Sequence, residues 1–329
     1  IAGCLLFFIG GTLATFLAAQ FLLGVHIAFN SGTDSALLYD SLKAAEREHE
    51  VADAEAKAAR YSYTALAISA ALGGLMASGW LGDSFALTYL VTAIAAVGAL
   101  GITIMFTEPE VGSAKTTTAP ALAQFSTVAK RLRDPVLRWM CIFFAGTYVL
   151  SHAPFLFVQP YLREMLADFD LVSETPFIIG LVIAIMMTMS ATLAWTVVPL
   201  RNRLGTKAMF MIALVLYVVL IAAMAAFVHP LIIGLIILRM VPGTLTRPFL
   251  LEAIQPRLES SYRATYLSVQ SLTARLLFSG ILLATAWAVT GTGTLDRAGL
   301  AAVLPWYALG GAILTVWLWW TWPGKKNEQ

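Results

Sequence analysis

Charge is scarce in this chain. Asp, Glu, Lys and Arg make up 12% of its 329 residues, while hydrophobic residues make up 59%. A soluble domain carries about 25% charged residues, so that class is excluded. Cysteine is scarce too. Cys4 and Cys141 both sit in apolar runs with no CxxC or Cys/His spacing, which points to neither a metal site nor a disulfide framework. No GxSxG, HExxH or DxxD constellation lies in or beside an apolar run, and His26 and His152 are singletons. The glycines of TGTGTLDRAG are not followed by the GK[ST] of a phosphate loop. An enzyme is therefore not expected, nor a cofactor, a metal or a nucleic-acid partner. The alternating ten-residue strands of a membrane barrel are missing. A net charge of +2 says little about partners.

What the chain has is long apolar runs, most of them close to the ~20 residues that cross a bilayer. Its mean hydropathy is +0.79. The expectation is an all-α polytopic membrane protein with ten spans, at 1–17, 18–41, 63–80, 85–106, 135–162, 177–198, 208–228, 231–254, 264–289 and 303–322. One bent helix over the first forty residues would be ~60 Å long, twice the hydrocarbon core, which favours two. Ile1 already lies in an apolar run with no charged segment before it, so the chain is expected to start partway into its fold.

Polar connections divide the runs. Residues 43–60 are charged, alanine-rich and helix-prone. The long polar stretch 107–134 opens as a loop and continues as ALAQFSTVAKRLR, an amphipathic helix suited to a membrane surface. It is the expected boundary, giving an N-terminal bundle at 1–106, a cytoplasmic linker at 107–135 and a C-terminal six-helix bundle at 136–329. Alternate loops on one side hold nearly all the basic residues, from Lys43 and Arg47 to Lys325 and Lys326, while the other side holds Arg163 and Arg297. The excess of lysine and arginine makes the first side cytoplasmic, with the middle loop and the C-terminus there.

Some apolar runs carry polar residues in register. His26, Asn30 and Asp34 recur at i, i+4 and i+8 and share one helical face. A carboxylate in a bilayer costs roughly 2.5–3.5 kcal/mol and faces a wet cavity or a partner. Tyr148, His152, Phe155 and Gln159 form a second stripe. Arg239 must be paired or wet at mid-span, because a guanidinium does not neutralise. Pro242 marks an expected break beside it. Arg275 shares a face with Ser268 and Ser271, with Glu252 and Asp34 as its open choices of partner.

Two stretches echo each other. ALLYDSL leads through a charged loop to Arg60 and YSYTALAIS; FLLEAI leads through a charged loop to Arg263 and ATYLSVQSL. Each first helix ends on an acid, Asp40 or Glu252. Parallel repeats of this kind mark transporters built from two halves.

With SGTDSALLYDSL, TEPE before the middle loop, PLRNRLGTK and ESSYRATYLSVQSL in this order, the chain resembles the major facilitator superfamily over almost its whole length. The resemblance implies two pseudo-symmetric bundles, with these ten helices matching the third to the twelfth of twelve. NRLGTK resembles the weaker copy of a family motif but lacks the acidic residue usual before Arg203. The resemblance also implies that His26, Asn30, Asp34, Tyr148, His152, Gln159, Arg239 and Thr246 line a central cavity, with Gly243 and Arg247 beside the last of them. It implies transport of a small solute by alternating access, coupled to a proton or another ion, by a monomer in the cytoplasmic membrane. Asp40 with Arg60, and Glu252 with Arg203 or Arg263, are the expected cytoplasmic gating pairs. The excess of buried arginines hints at an anionic solute. The alternatives are proton-driven efflux of hydrophobic compounds, against which ALGGLMASGWLG counts because it lacks the exporters' glycine-proline signature, and a membrane enzyme or receptor.

Overall fold

A computed structural model describes residues 1–30, 33–78, 85–106, 128, 130–167, 174–227, 229, 231–289 and 297–323. Every regular element among them is helical: α1 (Ala2–Ile9), α2 (Leu13–Asn30), α3 (Thr33–Ala44), α4 (Val51–Met76), α5 (Phe85–Ile104), α6 (Pro135–Ala167), α7 (Thr175–Leu193), α8 (Val197–Leu204), α9 (Thr206–Ala226), α10 (Leu231–Ile237), α11 (Val241–Ile254), α12 (Ser260–Val289) and α13 (Arg297–Trp320). Most of the linker at 107–135 lies outside the described residues, and so does its amphipathic helix apart from the end around Lys130.

Eight described helical segments are long and apolar enough to cross a membrane, and the chain is a multi-pass helical membrane protein. Two of the ten expected spans are not among them. α1 has only eight residues, about 12 Å of helix. α4 is long, but Arg60, Tyr61, Ser62 and Tyr63 dilute its apolar part.

The expected boundary near residue 17 is also wrong. The first break falls at Gly10 and Gly11, where two poor helix formers meet and Gly10 turns extended (φ −64°, ψ 151°). Thr12 and Thr15 then start α2 reciprocally. The Thr15 amide donates to Thr12 Oγ1 and the Thr12 amide to Thr15 Oγ1, both at 3.3 Å. This is a capping box with threonine in both places.

Large apolar side chains face outward as a lipid-exposed belt. Phe29, Trp287, Trp306 and Trp320 are mostly exposed. The main core lies among α6, α9, α11, α12 and α13. There Trp139 stacks on Phe143, meets Phe210 and Trp322 edge-on, and donates from Nε1 to the Leu318 carbonyl at 3.2 Å.

One long crossing joins the two expected halves. α4 packs along α7, and the approach is closest where Gly74 meets Gly180. A Cβ on Gly74 would stand 2.9 Å from Gly180 Cα, and one on Gly180 2.7 Å from Gly74 Cα. Only glycine on both sides allows this contact, the small-residue packing that membrane helices use.

At the break expected around Pro242 the helix tightens locally rather than ending. Between α10 and α11 the chain makes a tight turn of 3₁₀ helix over Leu238–Met240. Pro242 lies in the first turn of α11, where its missing N–H costs nothing. Arg239 therefore projects from an interruption in the helix.

Candidate functional site

Two cavities meet in the bundle. The first, ≈ 440 Å³, is lined by His26 and Asn30 of α2, Asp34 and Ser35 of α3, Tyr148 of α6, Arg247 of α11, and Gln270, Ser271 and Arg275 of α12. The second, ≈ 360 Å³, is lined by Tyr63 of α4, Tyr148, Ser151, His152 and Phe155 of α6, Tyr217 of α9, Arg239, and Thr246 and Arg247 of α11. Phe144, Tyr148, Arg247 and Leu250 border both.

Seven of the eight expected lining residues thus border this pair of cavities. The stripe of His26, Asn30 and Asp34 converges on the first although α2 ends at Asn30 and α3 begins at Thr33. All three are exposed and line it. Gln159 continues α6, but its side chain lies outside the described residues.

The second cavity is built around stacked rings. His152 lies on Tyr148 with centroids 3.8 Å apart and planes at 18°. Its Nδ1 is 2.8 Å from the Tyr148 carbonyl and 3.0 Å from the Ser151 hydroxyl. A neutral ring with Nδ1–H donating to that carbonyl leaves Nε2 as an acceptor. Arg239 donates through Nη1 to the Ser151 carbonyl at 3.0 Å and lies 5.0 Å over the Phe155 ring. The arginine is thereby held by a carbonyl and an aromatic face rather than by an acid. Thr246 donates its hydroxyl to the Pro242 carbonyl at 2.8 Å, so it offers the cavity an acceptor rather than a free donor.

A third cavity, ≈ 670 Å³, is larger than either of these two. Its walls come from α6, α12 and α13 and are almost wholly apolar, with Thr285 and Tyr307 hydrogen-bonded to each other at 3.0 Å. None of the expected site residues lines it, and it offers no charged group to a polar solute.

The charge pairs expected to form a gate have other partners. Asp40 pairs with Arg263, not with Arg60. Arg263 is only 2% exposed, donates from Nε to the Gln255 carbonyl at 3.1 Å, and lies 4.1 Å over the Tyr39 ring. Gln255 in turn donates to the Ser35 carbonyl at 3.1 Å. Arg60 instead donates to the Ala194 carbonyl at 3.3 Å and lies 4.1 Å over Trp195. Glu252 pairs with Arg201 at 3.3 Å, not with Arg203 or Arg263, and Arg203 is exposed. The expectation paired charges within each repeat. The fold makes α3 pack on α12, so the acid of one unit meets the arginine of the other.

Sequence reasoning missed Tyr63, Tyr217 and Arg201, and it missed Glu55. Glu55 is 6% exposed in a stretch that looks like a solvated helix. A signal was available: Ala52 and Ala56 flank it on one face of α4 and are buried with it.

No protein-family model matches the chain, and no curated protein matches it.

Proposed function

We propose that the chain is a secondary transporter of the major facilitator type, moving a small, preferably anionic, solute by alternating access. The observation that carries this reading is the pair of neighbouring cavities that share Tyr148 and Arg247 and carry the ionisable side chains of α2, α3, α6, α11 and α12. Ionisable groups at membrane depth belong to a solute path far more often than to a structural seam. Three arginines, Arg239, Arg247 and Arg275, reach this space against one acid, Asp34. That balance favours an anion. In this reading α1 and α4 complete ten helices, α1 to α5 form the first half and α6 to α13 the second. The Asp40–Arg263 bridge closes the cytoplasmic end.

The test is flux through the full-length protein in proteoliposomes, screened with small organic anions under an imposed proton gradient. Concentrative, gradient-dependent uptake is expected. Asp34→Asn should lower it by about tenfold, ~1.4 kcal/mol. If Asp34→Asn leaves both uptake and its pH dependence unchanged, the assignment of Asp34 fails. A second reading, efflux of hydrophobic compounds, rests on the apolar cavity of ≈ 670 Å³. Export of a lipophilic cation with no anion flux would favour it.

A further inference from the structure

One buried acid is not used by the site as described. Glu55 lies near the start of α4, 6% exposed, and its Oε1 has no hydrogen-bond partner among the described residues. A buried carboxyl oxygen without a donor is costly while the group is ionised. Ser35 of α3, which favours the ionised carboxyl, is itself buried and lines the first cavity. Two of the elements that wall that cavity, α3 and α11, pack on α4.

The charges facing it come from two elements. Arg247 of α11 favours the ionised carboxylate, and Asp34 of α3 opposes it. α7, the long neighbour of α4, carries no ionisable side chain between Thr175 and Leu193. α5 adds only Tyr89. On α8, Arg201 is taken by Glu252, and beside α3 Glu48 is taken by the Tyr39 hydroxyl. Arg247 is the cation that acts on Glu55, and it is also the cation bordering both cavities. Burial pushes the Glu55 carboxyl above the ordinary range, with Arg247 pulling against it.

We infer that Glu55 is a proton-binding site, and that its proton decides whether Arg247 is held by the protein or offered to an anion in the cavity. This rests on the transport reading for the anion, not for the proton. Ionised Glu55 holds the guanidinium by charge. Taking one proton from water makes the carboxyl neutral and releases that hold, so an anion binds Arg247 more tightly. Linkage is reciprocal: a bound anion raises the proton affinity of Glu55 by the same factor. Proton and anion then load together.

The test is infrared titration of the full-length protein in lipid, following the carbonyl stretch of protonated carboxyl groups. A band titrating above the ordinary carboxyl range is expected and should be lost in Glu55→Gln. Its midpoint should rise in Arg247→Gln and fall in Asp34→Asn. A Glu55→Gln spectrum identical to wild type at every pH overturns the proton site. A midpoint unmoved by Arg247→Gln overturns the coupling, and this arm stands even if Glu55→Gln folds poorly. Organic-anion flux in proteoliposomes gives the second readout. The pH dependence seen in wild type should be lost in Glu55→Gln. Anion flux missing from every protein, with the titration as expected, sinks the transport reading and the anion half of the inference while the proton site stands.

Discussion

A single guanidinium shows how much of this protein depends on pairing. Arg263 is almost fully buried and holds Asp40, the Gln255 carbonyl and the Tyr39 ring together. Removing one partner of a buried pair strands the other charge and costs about 3–5 kcal/mol. Arg263→Met should therefore lower thermal stability in detergent sharply. Asp40→Asn keeps an acceptor and should cost less. The double variant Asp40→Asn/Arg263→Met should be more stable than the sum of the two predicts. Arg201–Glu252 is a contrasting case. Both side chains are partly exposed, and loss of that pair should change stability by under ~1 kcal/mol. Glu55 adds a pH term. Its folded carboxyl is raised above the ordinary 4.5, so the folded state binds the extra proton. Stability is greatest below the ordinary value and falls as pH rises through the raised one. Melting temperature against pH should show that slope in wild type and lose it in Glu55→Gln. The sequence showed Asp34, His152 and Arg239 clearly, because a polar group in an apolar run stands out. It hid Glu55, because one buried glutamate among many exposed charges has no distinctive neighbours except two alanines.

At the scale of elements, adjacent glycines on α4 make a controlled comparison. Gly73 has open space where a Cβ would go, while Gly74 meets Gly180 backbone. Gly73→Ala should be neutral or stabilise by up to ~1 kcal/mol, since alanine is the better helix former. Gly74→Ala should destabilise by about 1–3 kcal/mol through overpacking, read as a lower melting temperature. The tightened turn beside Pro242 was legible because proline removes a helical N–H, although Pro248 and Pro305 sit inside α11 and α13. The junction near residue 10 was not read correctly, although GGTLAT carries both a glycine stop and a threonine cap. The partners of Asp40 and Glu252 were beyond reach for another reason. Which arginine meets Asp40 is set by how α3 packs on α12, a contact between distant parts of the chain.

For the whole molecule, the hydropathy pattern was sufficient for a multi-pass helical protein, and the charge pattern makes a further claim about its sidedness. The basic residues from Lys43 to Lys57 are expected on the cytoplasmic face. Cys4 is buried and Cys141 half-buried, so background labelling should be low. A cysteine at Arg47, which is exposed, should react with a membrane-impermeant maleimide only after the cells are permeabilised. Labelling from outside in intact cells would reverse the orientation and put the Asp40–Arg263 bridge on the outer face.

The Gly74–Gly180 contact has a mechanical consequence. Nineteen residues of α4 separate Gly74 from Glu55, a rod of about 28 Å. In the proposed transport cycle this backbone-to-backbone approach would serve as a fulcrum between the two rods. A swing of roughly 10° there would carry the far tip of a 28 Å lever by ~5 Å, further than an ion pair can stretch and stay made. In the proposed transport cycle the Asp40–Arg263 bridge, whose acid lies on α3 against α4, is the contact that such a swing would strain.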